Sequence, residues 1–197
     1  MSESGESNIT TIGLCERPTE TAHILVRECV KPGDRVVDAT IGNGHDTVFL
    51  ADLVGPSGHV DGFDIQDEAL ESARLKLLDP LCDHVTLHSV GHEKIADLVE
   101  PQVQAVMFNL GHLPGGDKRL ITQAETTIAA LQAAAGILSS GGIVTIVVYT
   151  GHPGGQKEAE SVTKFCCSLD DSQFSTTVYK SSSDKPTAPF LITITRQ

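Results

Sequence analysis

The chain has 197 residues, 40% of them hydrophobic and 20% charged, with a formal net charge of −12. That length suits a single domain with a substantial core, and the acidic balance excludes a broad basic face for nucleic acid, though not binding whose affinity comes from a flipped base. No apolar run reaches the roughly 18–20 residues that cross a bilayer, and the five cysteines show no CxxC spacing, so neither a membrane span nor a zinc or disulfide framework is expected.

Met1 to Thr11 is polar and acidic, without the basic-then-apolar order of a secretory signal. Residues 1–14 are expected to form a disordered tail, residues 15–197 a single domain, and the compartment is expected to be the cytoplasm. Ala22, Leu25, Val26 and Cys29 have helical spacing, so Thr19 to Val30 reads as a helix, stopped by Lys31-Pro32-Gly33-Asp34. Arg35 to Thr40 reads as a buried strand, Ile41 to His45 as a glycine-rich loop and Asp46 to Leu53 as a helix. His59 to Asp64 is a second strand, followed by a helix that Asp67 can cap. His84 to Val90 and Ala105 to Leu110 are the third and fourth strands. Thr122 and Glu125 match a capping box before a helix that Gly141-Gly142 would end. Ile143 to Tyr149 is a fifth strand, and a further helix ends near Leu169, with Cys166 and Cys167 read as inert thiols. Phe174 to Lys180 and Phe190 to Thr195 are two closing strands whose short polar connection has no room for a crossover helix.

The order is thus α/β: a Rossmann-like, seven-stranded, mainly parallel sheet with an antiparallel C-terminal hairpin and helices on both faces. A dinucleotide-binding domain would continue with parallel βα units, whereas the closing hairpin is the ending of class I methyltransferases.

Three loops at the strand ends carry the chemistry. In the first, Asp38, Thr40, Gly42, Asn43, Gly44, Asp46 and Thr47 surround a strand-to-helix turn. Its glycines admit a ligand to the backbone, and its helix-start amides can receive a carboxylate. Asp64, with Ile65 and Gln66, ends the next strand, where a carboxylate suits a ribose diol. Thr47 stands where a nicotinamide-binding loop has its third glycine. His92 and Glu93 either flank an adenine or cap a helix at the surface. The second loop runs from Asn109 and Leu110 through His112, Leu113, Pro114, Gly116 and Asp117 to Lys118. There a carboxamide can orient an amine, and His112 or His152 has a pKa suited to collecting its proton. The third contains Tyr149, Gly151, His152, Pro153, Gly154 and Gly155. The eight histidines form no HxH or HExxH pattern, and no metal is expected.

DATIGNGHDT (38–47), GFDIQ (62–66), NLGHLPGGDK (109–118) and GHPGG (151–155) occur in order over most of the chain. Together they closely resemble the MnmM family of bacterial tRNA wobble-uridine methyltransferases, formerly labelled rRNA methylases. The resemblance implies S-adenosylmethionine as cofactor, S-adenosylhomocysteine as product, and methylation of aminomethyluridine at the tRNA wobble position to methylaminomethyluridine. It also implies a tRNA partner and suggests a homodimer, without membrane. Asp38, Gly42, Asn43, Gly44 and Asp64 to Gln66 would hold the cofactor, while Asn109 and the loop to Lys118 would frame the acceptor amine with Gly151 to Gly155 opposite. The family carries tyrosine where this chain has His112, and an asparagine before the prolines of the closing loop, where this chain reads Ser183 to Phe190. Methylation of rRNA, a small amine or a protein remains the alternative on this fold, with an NAD-binding oxidoreductase further off.

Overall fold

The computed structural model describes residues 9–15, 17–77, 83–113, 115, 120–183, 185 and 187–197, with 12–15 described by backbone alone. Its centre is an eight-stranded sheet whose order across the molecule is β1-β7-β8-β6-β5-β2-β3-β4. The strands are β1 Ile9–Cys15, β2 Arg35–Asp38, β3 His59–Phe63, β4 Val85–His88, β5 Val103–Asn109, β6 Leu138–Val148, β7 Phe174–Ser181 and β8 Phe190–Arg196. Helices α1 Pro18–Cys29, α2 His45–Val54, α3 Asp67–Lys76, α4 Ile95–Leu98, α5 Ala124–Ile137 and α6 Gly155–Cys167 lie between them.

The strand interiors explain the layering. Val37, Val106, Phe108, Val144, Ile146, Ile192 and Ile194 pack on one face, in a cluster with Ile95 of α4, Leu131 of α5 and Val162 of α6. Their neighbours Val36, Ala105, Met107, Ile143, Val147 and Leu191 pack on the other, with Ala22 and Val26 of α1 and Leu50 of α2. Side chains alternate across a strand, so a strand buried on both faces reads as a continuous apolar run. The closing pair is antiparallel as expected, with Thr176 opposite Ile194 and Val178 opposite Ile192, and β8 also runs antiparallel to β6.

Four expectations change. Part of the expected tail is β1, which adds an eighth strand by pairing parallel to β7, with Ile9 opposite Thr176 and Thr11 opposite Val178. An edge strand bonds its neighbour along one side only, so it needs little apolar patterning; residues 1–8 lie outside the described residues. The helix before β6 ends at Ile137 rather than at the Gly141-Gly142 pair. Those glycines lie inside β6, Gly141 at φ +75, beside a register shift against β5. No capping box forms at α5: Gln123 is the N-cap and makes no side-chain cap bond, Thr122 turns to Gly111 and Glu158, and Glu125 pairs with Lys157 at 2.7 Å. Asp67 is the first residue of α3 rather than its cap, and accepts a bond from the Ser89 hydroxyl instead.

The chain leaves β2 outward through β3 to β4, then returns to the other side of β2 for β5 and β6. The order reverses at β2, and ligands of open α/β sheets bind outside the carboxyl ends of the strands at such a point.

Candidate active site

A cleft of about 810 Å³ opens there, bordered by the segments that follow β2, β3, β4, β5 and β6. Its size falls within the roughly 300–1,000 Å³ of small-molecule sites.

The first wall is the turn from β2 into α2. Gly42 and Gly44 have φ of +52 and +77, the left-handed region that side chains resist. At Gly44 a Cβ would lie 2.7 Å from the Cα of Ala73, so α3 packs against bare backbone. Asp38 lies under the turn, fully buried. The Thr47 hydroxyl donates to its Oδ2 at 2.6 Å and the Thr40 amide to its Oδ1 at 3.1 Å. Burial above all, then the negative charge of Asp46, pushes the Asp38 carboxyl up to about 7. Asp38, Gly44 and Thr47 thus shape the loop from behind and do not line the cleft, whereas Thr40, Gly42, Asn43 and Asp46 do.

Asp64 stands across from this turn. Its Oδ2 accepts from the Gly42 amide and its Oδ1 from the Gln66 amide, both at 3.0 Å. A carboxylate has about four acceptor sites, so two remain for the hydroxyls of a ribose. Beside it Ile65 is 59% exposed on the cleft wall, an apolar surface suited to a purine face. His92 lies in the short 3-10 turn His92–Lys94 and is buried rather than set on the surface. Its ring packs edge-on against Phe108, with Nδ1 bonded to the Ala39 carbonyl at 3.1 Å. Desolvation lowers its pKa, which favours the neutral ring with Nδ1–H as donor. Glu93 lines the same end. A carboxylate with two acceptor positions left, an apolar wall and a helix start facing the cleft are the kinds of group that a ribose, an adenine and a carboxylate would need.

The opposite end begins at Asn109. Its amide donates to the Thr40 hydroxyl at 2.7 Å, and its Nδ2 makes a long 3.5 Å contact with Asp46 Oδ2. With Nδ2 turned to Asp46, the carboxamide oxygen is the end of the side chain able to accept. Leu110, His112, Leu113, Tyr149, Gly151 and His152 complete this end, the two histidine rings edge-to-face with centroids 6.3 Å apart. His112 is exposed. His152 Nδ1 meets the Pro153 carbonyl at 3.1 Å, and its Nε2 is buried with no hydrogen-bond partner among the described residues. Gly154 is the N-cap of α6, at φ +84. At Gly155 a Cβ would lie 2.6 Å from the Tyr149 carbonyl oxygen and 2.9 Å from His152 Nε2. Pro153, Gly154 and Gly155 thus form the turn behind His152 and do not line the cleft. Pro114, Gly116, Asp117 and Lys118 lie outside the described residues.

Sequence reasoning missed two contributions. Thr19 and His23 of α1 line the cleft, and His23 Nε2 lies 2.6 Å from Asp46 Oδ1. Glu158 of α6, 2% exposed, accepts from the Thr127 hydroxyl at 2.6 Å and the Thr122 hydroxyl at 2.8 Å. Thr122 Oγ1 in turn accepts from the Gly111 amide at 2.9 Å, which anchors the loop after β5 to α6. The signal for Glu158 was its place on the buried stripe Gly155, Ala159, Val162 and Cys166, where an unpaired carboxylate would be costly.

Residues 60–195 match the family described as "Putative rRNA methylase". The chloroplastic tRNA (mnm(5)s(2)U34)-methyltransferase of Arabidopsis thaliana is 40% identical over 189 residues, covering 90% of this chain and 68% of that protein. The crystal structure of a "putative rRNA-methylase" from Clostridium thermocellum is 42% identical with a TM-score of 0.89, covering 93% of this chain and 99% of that one. A "putative methyltransferase" from Streptococcus mutans, in complex with SAH, is 35% identical with a TM-score of 0.84, covering 93% and 100%. The chain belongs to the "Putative rRNA methylase" family, as a class I methyltransferase whose cofactor is S-adenosylmethionine.

Proposed function

We propose that this methyltransferase acts on the amino group of aminomethyluridine at the wobble position of tRNA, producing methylaminomethyluridine, in the cytoplasm. The observation that carries the reading is Asn109. Its backbone is pinned by Thr40 and its Nδ2 contacts Asp46 at the edge of the cleft, which presents a fixed acceptor to an incoming amine. Orientation is the main demand on the protein. S-adenosylmethionine supplies the methyl as a sulfonium, so the amine lone pair makes the new nitrogen–carbon bond while the carbon–sulfur pair leaves with sulfur. His112 offers an exposed ring on which a base can stack, in the place where the resembling family has tyrosine. The Arabidopsis relative, named as a methyltransferase of a tRNA uridine, supports the choice of RNA.

The test is transfer of a labelled methyl group to tRNA lacking it. Label in the wobble nucleoside is expected; label absent from RNA and present in a small amine contradicts the reading. The net charge of −12 favours a second reading, a small-molecule or protein amine as acceptor. Binding to tRNA that does not weaken as salt rises would support that alternative, because phosphate contacts are salt-sensitive.

A further inference from the structure

An amine substrate is an ammonium at neutral pH and must lose a proton before its nitrogen can attack. Among the described residues five histidines line the cleft: His23, His45, His92, His112 and His152; His45 opens α2 and His92 is bonded to the Ala39 carbonyl. The Nε2 of His152 is shut in and its Nδ1 is engaged with Pro153. His112 is exposed. His23 is different. Its Nε2 faces Asp46 Oδ1 at 2.6 Å, and its ring stacks on Phe49 with centroids 3.9 Å apart and planes 3° from parallel. These contacts fix the ring. They also fix the tautomer, since Nε2 must carry the hydrogen to bond a carboxylate, which leaves the lone pair on Nδ1. The other oxygen of Asp46 contacts the Asn109 carboxamide at 3.5 Å, so one carboxylate joins the histidine ring to Asn109.

We infer that His23, clamped by Asp46, is the base that removes the proton from the acceptor ammonium. The step balances simply. The ammonium gives a proton to Nδ1, the neutral amine takes the methyl, and the imidazolium returns its proton to solvent. Charged groups stand on several sides of the ring. Asp46 faces it from α2, Asp38 lies behind Asp46 at the end of β2, and Arg27, one turn along α1, reaches over the same Phe49 ring. Tyr149 adds no charge, because burial and then Asp46 raise the pKa of its phenol.

The inference rests on the amine reading above, and its test separates the two. His23→Gln keeps a donor for Asp46 and loses the base. Single-turnover transfer to tRNA is expected to fall about 100-fold at neutral pH, the low end of general-base contributions. The deficit should shrink about tenfold per pH unit as free amine accumulates in solution, because deprotonation then needs no enzyme group. Affinity for S-adenosylhomocysteine, by calorimetry, should stay within about threefold of the parent. Imidazole added to His23→Ala should restore transfer. An unchanged rate and pH profile in His23→Gln overturns the inference, as does cofactor affinity falling in step with rate, which would make His23 a cofactor ligand. Failure of imidazole to restore His23→Ala also counts against it. A parent enzyme inactive on the tRNA removes the amine reading itself, and is recognised because the parent rather than the variant fails.

Discussion

The two ends of the cleft are built differently. The cofactor end is made of strand-to-helix turns closed mainly from within, Asp38 by Thr40 and Thr47 and Asp64 by Gln66, with one bond between successive turns, from the Gly42 amide to Asp64. The acceptor end is assembled from distant parts of the chain. Asp46 meets His23 of α1, and the loop after β5 is tied through Thr122 to Glu158 of α6. Binding a fixed cofactor needs preset backbone, which local sequence can encode. Holding a variable acceptor falls to loops, and loops need bracing from elsewhere.

Perturbing each end sharpens that contrast. The largest effect is expected from Asp64→Ala, which removes the carboxylate proposed to hold the ribose and leaves the Gly42 and Gln66 amides without their acceptor. Calorimetry should show affinity for S-adenosylhomocysteine reduced at least about 100-fold, from the loss of two hydrogen bonds to a charged group. Next comes Glu158→Gln, which keeps the shape but places an amide donor against hydroxyl donors. We expect transfer to slow about tenfold and stability in denaturant titration to drop about 1–3 kcal/mol, the penalty of a mispaired buried group. Cofactor affinity should change far less than transfer, since the Thr122 bond of Glu158 holds the loop after β5.

Asp38 predicts a pH effect. Its carboxyl is raised from 3.8 to about 7 in the folded protein. The native state therefore holds a proton that the unfolded chain has lost between those values, and this carboxyl's contribution to stability declines as pH rises through that window. Asp38→Asn should remove the decline, so that the parent's stability falls relative to the variant's from about pH 4 to about pH 7 and runs parallel above it. The smallest effect is expected from His112→Tyr. Another aromatic ring in the same place should move KM by no more than about threefold, under 1 kcal/mol, in steady-state kinetics.

Legibility in the sequence follows the same division. The alternating elements, the antiparallel ending, the glycine turn and Asp64 were readable because periodicity and turn chemistry are local signals. Even there the division of labour was hidden, since Asp38 and Thr47 share a motif with Gly42 and Asn43 yet lie behind them. Strand β1 escaped because an edge position demands little of its residues. The Gly141-Gly142 pair looked like a helix stop and is an irregularity inside β6, a use of glycine that one sequence does not distinguish. Thr122 and Glu125 had capping-box spacing, but tertiary partners claimed both side chains. His23 and Glu158 gave no local motif, and their roles exist only once α1 and α6 are packed beside β6 and α5.

The separation of the two ends is tested most directly by Asn109→Ala, assayed for both cofactor affinity and methyl transfer. The account predicts S-adenosylhomocysteine binding within about threefold of the parent and transfer slowed about 100-fold, the cost of losing an orienting contact. Equal losses in both, or transfer at the parent's rate, would contradict it.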